Sequence, residues 1–164
     1  MRRFAALLAI ATVLLGGWTF LSAGCGRFAG PEEQAIGEML RSFVSAVEKD
    51  DREMALACLM DQQAFMILNP DAAARTDPDG FAESVIAELV HTYQSMVRHF
   101  QGRTLKVKSV RLGTPWYQFK PHPAFRDNEL VIDADGEEVV LMIKGVIRIG
   151  DRWRIVDLSD LELY

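Results

Sequence analysis

The residues able to do chemistry in this chain are few, and they stand apart from one another. Of the two cysteines, Cys25 directly follows Ser22-Ala23-Gly24, at the end of a run from Phe4 that carries no charge. Cys58 lies inside Ala55-Leu56-Ala57-Cys58-Leu59-Met60, an apolar helical stretch where a lone thiol behaves as a small buried hydrophobe. With one thiol in the body of the chain there is no internal disulfide framework, and no Cys-His spacing suits zinc. Asp133 and Glu138 should face one another across a turn. Such a carboxylate pair raises a pKa when buried, but beside a hairpin tip it is expected to be solvated. The richest segment is Thr114 to Phe125, with four aromatic residues and three prolines. Its Trp116, Tyr117, Phe119 and His122 suit the mouth of a site for an apolar ligand, aromatic walls with a few polar contacts. The plainer alternative is an ordered loop whose aromatics cap an open end of the core. No nucleophile elbow, Walker loop, metal triad or dinucleotide fingerprint occurs, and no cofactor is implied.

The first 25 residues give an address. Arg2 and Arg3, then the uncharged run, then small residues have the form of a secretory signal. Leu21-Ser22-Ala23-Gly24-Cys25 resembles the lipobox of bacterial lipoprotein signal peptides, with Ser22 where that family most often has Leu. The resemblance implies that Cys25 receives a diacylglycerol on its sulfur and becomes, after cleavage, the modified N-terminus. Residues 1–24 are then a signal peptide, 25–30 the lipidated Cys and a short linker, and 31–164 a single domain. Two other readings stay open. The run of about 20 residues suffices, at ~1.5 Å each, to cross a ~30 Å hydrocarbon core as an uncleaved anchor. An ordinary cut would leave Cys25 a spare thiol. All three put the domain outside the cytoplasm, and a lipidated Cys25 puts it on the cell membrane or the outer membrane. Losing Arg2 and Arg3 leaves 16 basic residues of 18 against 23 acidic ones, a net charge of −7. That disfavours a nucleic-acid or anionic-membrane binder, and no nucleic-acid partner is expected. The 140 residues left are one domain's worth.

The elements that must position any site begin with helices. Pro31-Glu32-Glu33 opens the first, and Ile36, Met39, Leu40, Phe43, Val44 and Val47 recur at helical spacing. Asp50 with Glu53 resembles a capping box for a short second helix near 51–61. Residues 62–75 show no clear period: Phe65 to Leu68 fits a short strand or a helix, and Asn69-Pro70 ends it. A longer third helix is capped by Asp77 and opened by Pro78. Phe81, Val85, Leu89, Tyr93, Met96, Val97 and Phe100 line its buried face, and Gly102 closes it.

After Gly102 the period changes to two. Leu105 and Val107 share one parity and Val110 and Leu112 the other, which predicts a bulge near Ser109. Asp135-Gly136 and Gly150-Asp151 are two-residue hairpin turns, so strands near 128–134, 137–149 and 152–163 form an antiparallel meander. Without further bulges, Lys144 then faces Asp157. One face collects Leu130, Ile132, Val139, Leu141, Ile143, Ile147, Val156 and Leu158 and meets the helices. The other carries Val131, Val140, Met142, Val146, Trp153 and Ile155 with charges between them. Its apolar content is more than a solvated face needs, and Trp153, Ile155, Met142 and Val146 are the expected interface with a second copy or an envelope partner, unless the 114–125 loop or the C-terminal tail covers them.

Helices followed by long strands ending in Gly150-Asp151-Arg152-Trp153-Arg154-Ile155-Val156-Asp157-Leu158 resemble the nuclear transport factor two-like superfamily, over residues 31–164. The resemblance implies an α+β fold, N-terminal helices packed on a curved antiparallel sheet in a cone with an open mouth. It also implies frequent dimerisation through the sheets. Enzymes of this superfamily, isomerases and dehydratases, place an Asp, a His or a Tyr inside the cone, so His91, Tyr93, Asp133 and Asp157 are the residues to weigh. None sits convincingly: both Asp residues fall on the amphipathic face, His91 off the main helical stripe, and Tyr93 on it as core. The expectation is therefore a membrane-tethered envelope lipoprotein acting as a binding or assembly module without catalysis. The alternative is a carrier or isomerase/dehydratase-like enzyme for a small apolar ligand held in the cone. The fold alone decides between them no further.

Overall fold

The computed structural model describes residues 30–74 and 76–158. Cys25, the uncharged run before it and the end of the last expected strand lie outside the described residues. Four α-helices come first: α1 (Pro31–Lys49), α2 (Arg52–Cys58), α3 (Gln62–Leu68) and α4 (Pro78–Phe100). Five strands follow, β1 (Leu105–Arg111), β2 (Thr114–Pro115), β3 (Ala124–Ala134), β4 (Glu137–Ile149) and β5 (Arg152–Asp157). They make an open antiparallel sheet in the order β1-β3-β4-β5, with the short β2 also paired to β3. The fold class is α+β.

Side-chain caps set the helix starts. Asp77 accepts from Gly80 N at 2.9 Å and opens α4, as its sequence predicts. The second helix is capped one residue later than expected. Asp51, not Asp50, accepts from Met54 N at 3.0 Å, and Asp50 instead ends α1 in a left-handed conformation, φ 52°. Helix α2 also stops earlier than residue 61. Leu59 and Met60 turn extended and bridge to β5, Met60 N donating to Ile155 O at 2.9 Å. That contact covers the open edge of β5, which would otherwise present unpaired backbone groups. Asp61 then accepts from Ala64 N at 2.8 Å and starts α3, so the segment without a clear period is a short helix followed by a 3₁₀ turn over Pro70–Ala74.

The β3–β4 pairing follows the Asp135-Gly136 turn along its whole length, from Ala134↔Glu137 to Ala124↔Ile147. The β4–β5 pairing does not. It runs from Ile149↔Arg152 to Val146↔Ile155, then slips, so that Gly145 and not Lys144 lies opposite Asp157. The expected Lys144–Asp157 pair is thus displaced by a bulge that leaves Val156 over. A slip of one residue also exchanges faces. β1 carries a bulge between Val107 and Ser109, where its parity change predicts one.

The side chains packed against the main core therefore change parity once on each long strand, by a step of three residues. They pass from Val107 to Val110 on β1, from the buried Asn128 to Phe125 on β3, from Ile143 to Val146 on β4 and from Leu158 to Ile155 at β5. Ala124 and Ile147 stay buried on the unchanged parity, outside that core. A step of three in a period of two is a crease. Val146, Trp153 and Ile155, expected on a second, exposed face, are instead inside the same core as Leu130, Ile132, Val139, Leu141 and Ile143, together with α1, α2 and α4. Trp153 is only 6% exposed, and its ring lies 6.0 Å from that of Phe125. Of the expected interface residues, Met142 alone stays on the surface, beside Val140.

One polar side chain sits on the crease. Asn128 is 0% exposed. Its oxygen accepts from Gly113 N at 3.2 Å, and its amide nitrogen donates to Phe125 O at 3.2 Å and Ile143 O at 3.0 Å. Next to it Asp127 takes a left-handed φ of 58°. Gly113 must be glycine here, since a Cβ would come within 2.0 Å of Arg126 O. Asn128 joins the start of β2, the kink in β3 and the middle of β4. Replacing it with Ala leaves a buried N–H and two carbonyls without their partner, at a cost of about 2–3 kcal/mol. Urea unfolding of Asn128→Ala measures this. A loss below about 0.5 kcal/mol, the range of an ordinary surface change, would show that the crease holds without it.

Candidate functional site

Two places bring polar and aromatic side chains together. The first is the loop from Thr114 to Pro123. Thr114 and Pro115 pair with Arg126 and Phe125, Trp116 N donates to Ala124 O at 2.8 Å, and Tyr117–Phe119 form a single 3₁₀ turn. His122 N returns to Phe119 O at 2.7 Å and Arg148 N donates to Pro123 O at 2.8 Å. The loop is thus an ordered structure. Trp116 and Phe119 meet edge to face with centroids 4.6 Å apart, and the Lys120 ammonium lies 5.2 Å from the Tyr117 ring. All four expected mouth residues, Trp116, Tyr117, Phe119 and His122, border this loop, and Trp116, Tyr117 and His122 line a hollow of about 310 Å³ that reaches Glu32 at the start of α1. Trp116 is seated by Gly145. A Cβ there would come 2.9 Å from the Trp116 ring and 2.8 Å from Val156. Ala124 and Ile147, buried but outside the main core cluster, share this end of the sheet.

The second place is a cleft of about 360 Å³ where α4 crosses the crease, with Glu88 and Thr92 on one wall and Lys144, Val156 and Asp157 on the other. Burial pushes the Asp157 carboxyl up. Lys144 draws it back in part, and Glu88 adds to the rise. A carboxyl held nearer neutrality between an amine and a second carboxylate is a group able to exchange a proton.

The remaining candidates are scattered. His91 is exposed at the rim of a groove between α2 and α4 whose floor includes Leu56, Ile86 and Val90. Tyr93 is core, as its stripe position predicts, and its hydroxyl reaches no partner at hydrogen-bond geometry among the described residues; burial first, then the Asp50 carboxylate close enough to act on the hydroxyl, raises its pKa. Asp133 faces Glu138 as the turn predicts, on the outer face. Lys108 Nζ stands 3.4 Å from both. The Gly136 N–H at 2.7 Å, helped by Lys108, holds the Asp133 carboxyl below its usual range, the reverse of what a general base needs. Cys58 is buried and its thiol is pushed up by burial, so it is a packing residue. Among the described residues no three His, Cys, Asp or Glu side chains gather to hold a metal, and no helix is long and apolar enough to cross a membrane.

Sequence reasoning missed Asn128, Gly145 and Arg154. Arg154 donates to Ala57 O and lies 3.6 Å from Asp61, tying β5 to α2 and α3. Only Asn128 left a trace in the sequence, a polar residue at the end of an apolar strand. Comparison with protein-family models, with curated proteins and with solved structures returns no match.

Two expectations follow from this geometry. Gly145→Ala displaces the Trp116 ring and costs about 1–3 kcal/mol as an overpacked site does, with a change in tryptophan emission; unchanged stability and emission would mean the ring has room to move. Asp157 has the opposite sign. Its folded pKa is raised, so the folded chain holds this proton more tightly, and stability falls as pH rises from the ordinary carboxylate pKa of ~3.9 through the folded value. Asp157→Asn should therefore be the more stable protein at pH 7, with the gain vanishing in acid. A variant less stable at pH 7 would show instead that the carboxylate makes favourable contacts there.

Proposed function

We propose that the chain is a lipid-anchored protein of the bacterial cell envelope that acts as a binding or assembly module without catalysis. The observation that carries this reading is the spacing between Cys25 and the fold. Helix α1 starts at Pro31, so only residues 26–30 separate the domain from the cysteine that ends the lipobox-like run. The scatter of His91, Tyr93, Asp133 and Asp157 over four separate surroundings supports a module rather than an enzyme, because acid–base chemistry needs its groups within reach of one substrate. Helices leading into a creased antiparallel sheet that curls around α1 suit a nuclear transport factor two-like cone. Among the expected sheet-face contacts, Met142 and the neighbouring Val140 and Val131 remain to meet a second copy or an envelope protein.

The second reading is a carrier or isomerase/dehydratase-like enzyme. The raised Asp157 carboxyl in its cleft with Glu88 and Lys144 is the observation that favours it, and a small polar ligand suits that cleft better than the apolar one expected from the sequence.

Lipid attachment at Cys25 is tested by Cys25→Ser in the full chain. The variant should accumulate as an uncleaved precursor or leave the membrane fraction. Processing and membrane association equal to the parent's would remove the anchor reading.

A further inference from the structure

The end of the domain at which α1 begins carries an unusual surface. Gly30 marks where the chain leaves α1 toward Cys25, and five residue steps span at most about 18 Å when fully extended. The Thr114–Pro123 loop is at this same end. Glu32, in the first turn of α1, lines both the hollow that contains Gly30, Arg148 and Trp153 and the hollow under the loop. Arg148 fastens the three parts, its guanidinium 3.6 Å from Glu32 and its backbone N–H on Pro123 O. A lipid on Cys25 keeps Gly30 within one linker length of the bilayer surface, and the loop lies at the same end of the domain as Gly30.

The loop's chemistry fits that position. Tyr117 is 70% exposed, more than any other large hydrophobic side chain described, and Trp116 and Phe119 stand half-buried beside it. Lys120 lies against the Tyr117 ring. Between Glu88 and Asp127 the chain has no carboxylate, although acidic residues outnumber basic ones overall. Amphipathic aromatics with a neighbouring lysine match the headgroup layer, where one end of the side chain is apolar and the other wet. The segment itself adds no repulsion from anionic lipid, and Glu32 beside it is paired with Arg148, while Asp151 borders the adjoining hollow. We infer that the loop, led by Tyr117, docks into the headgroup region of the membrane that carries the anchor. The lipid supplies the affinity and the loop sets the orientation, with the Asp135-Gly136 turn directed away from the bilayer. This rests on the lipid-anchored reading of Cys25.

The test places an environment-sensitive fluorophore on Tyr117→Cys, or on Asp135→Cys as the control, in the full chain matured in a bacterial host. Cys58 is buried, and an acylated Cys25 does not react. Trp116 pairs with Ala124, opposite Ile147, so the stretch of β4 from Glu137 to Ile147 separates the loop from the turn, about 33 Å of strand. The proteins are reconstituted into phosphatidylethanolamine–phosphatidylglycerol vesicles bearing nitroxide at the headgroup. Docking predicts blue-shifted emission at position 117 and its loss to the nitroxide, with position 135 unaffected. Equal, unquenched emission at both positions in vesicle-bound protein overturns the docking and leaves the anchor standing. Blue-shifted emission at 117 in native membranes but not in pure lipid vesicles assigns the loop to a protein partner and overturns it too. Failure of the matured chain to stay on vesicles, with an unmodified Cys25, overturns the anchor and the docking together.

Discussion

The Asn128 amide is the constraint on which the sheet depends. A strand with a period of two presents one face to its core, and β3 and β4 would do so throughout if nothing interrupted them. Asn128 spends its hydrogen bonds on Gly113, Phe125 and Ile143, at the place where the buried side chains change parity. Three backbone groups from three separate segments thus meet in one buried side chain. The left-handed Asp127 and the extra residue at Val156 continue the bend on the neighbouring positions.

The crease decides what each part of the surface can do. Beyond it, Val146, Ile155 and Trp153 turn toward the helices and join the core that Ile36, Leu40 and Phe43 of α1 begin. Burying a tryptophan and two branched residues in this way stabilises the fold by several kcal/mol at ~25 cal/mol per Å² of apolar surface. The opposite side of the same strands is left for Trp116, which can reach β4 only because residue 145 has no side chain. On its helix side the crease opens the cleft around Asp157. The loop end and the cleft are thus two consequences of one bend, and the loop end is the one joined to α1 and to the chain leading back to Cys25.

Much of this was legible in the sequence, and the misreadings share a physical cause. Helical spacing and caps locate α1 and α4, because a buried stripe and a Pro after an Asp are local signals. The Asp-Gly and Gly-Asp turns locate the meander, and the parity change at Val110 reveals the β1 bulge. The same signal was present at Val146, Trp153 and Ile155, apolar residues on the nominally wetter face. There it reads equally as a partner surface, since a crease and an interface both place hydrophobic residues out of phase. What separates them is the hydrogen bonding of Asn128 and the slip opposite Gly145, both long-range. The cap at Asp51 in place of Asp50, and the extended Leu59–Met60 pairing with Ile155, likewise depend on contacts distant in sequence. The loop's aromatic content was evident; its place beside Glu32 and Gly30 was not.

The proposed anchor at Cys25 would hold this creased α+β domain at a surface by the end that carries its aromatic loop. Everything in that description turns on Cys25. The most direct measurement is the intact mass of the protein extracted from its own membrane. Lipid anchoring predicts a chain of residues 25–164 whose mass exceeds the bare sequence by a diacylglyceryl group, with or without a further acyl chain on the new N-terminus. A chain still beginning at Met1, or one cut before an unmodified Cys25, would contradict it.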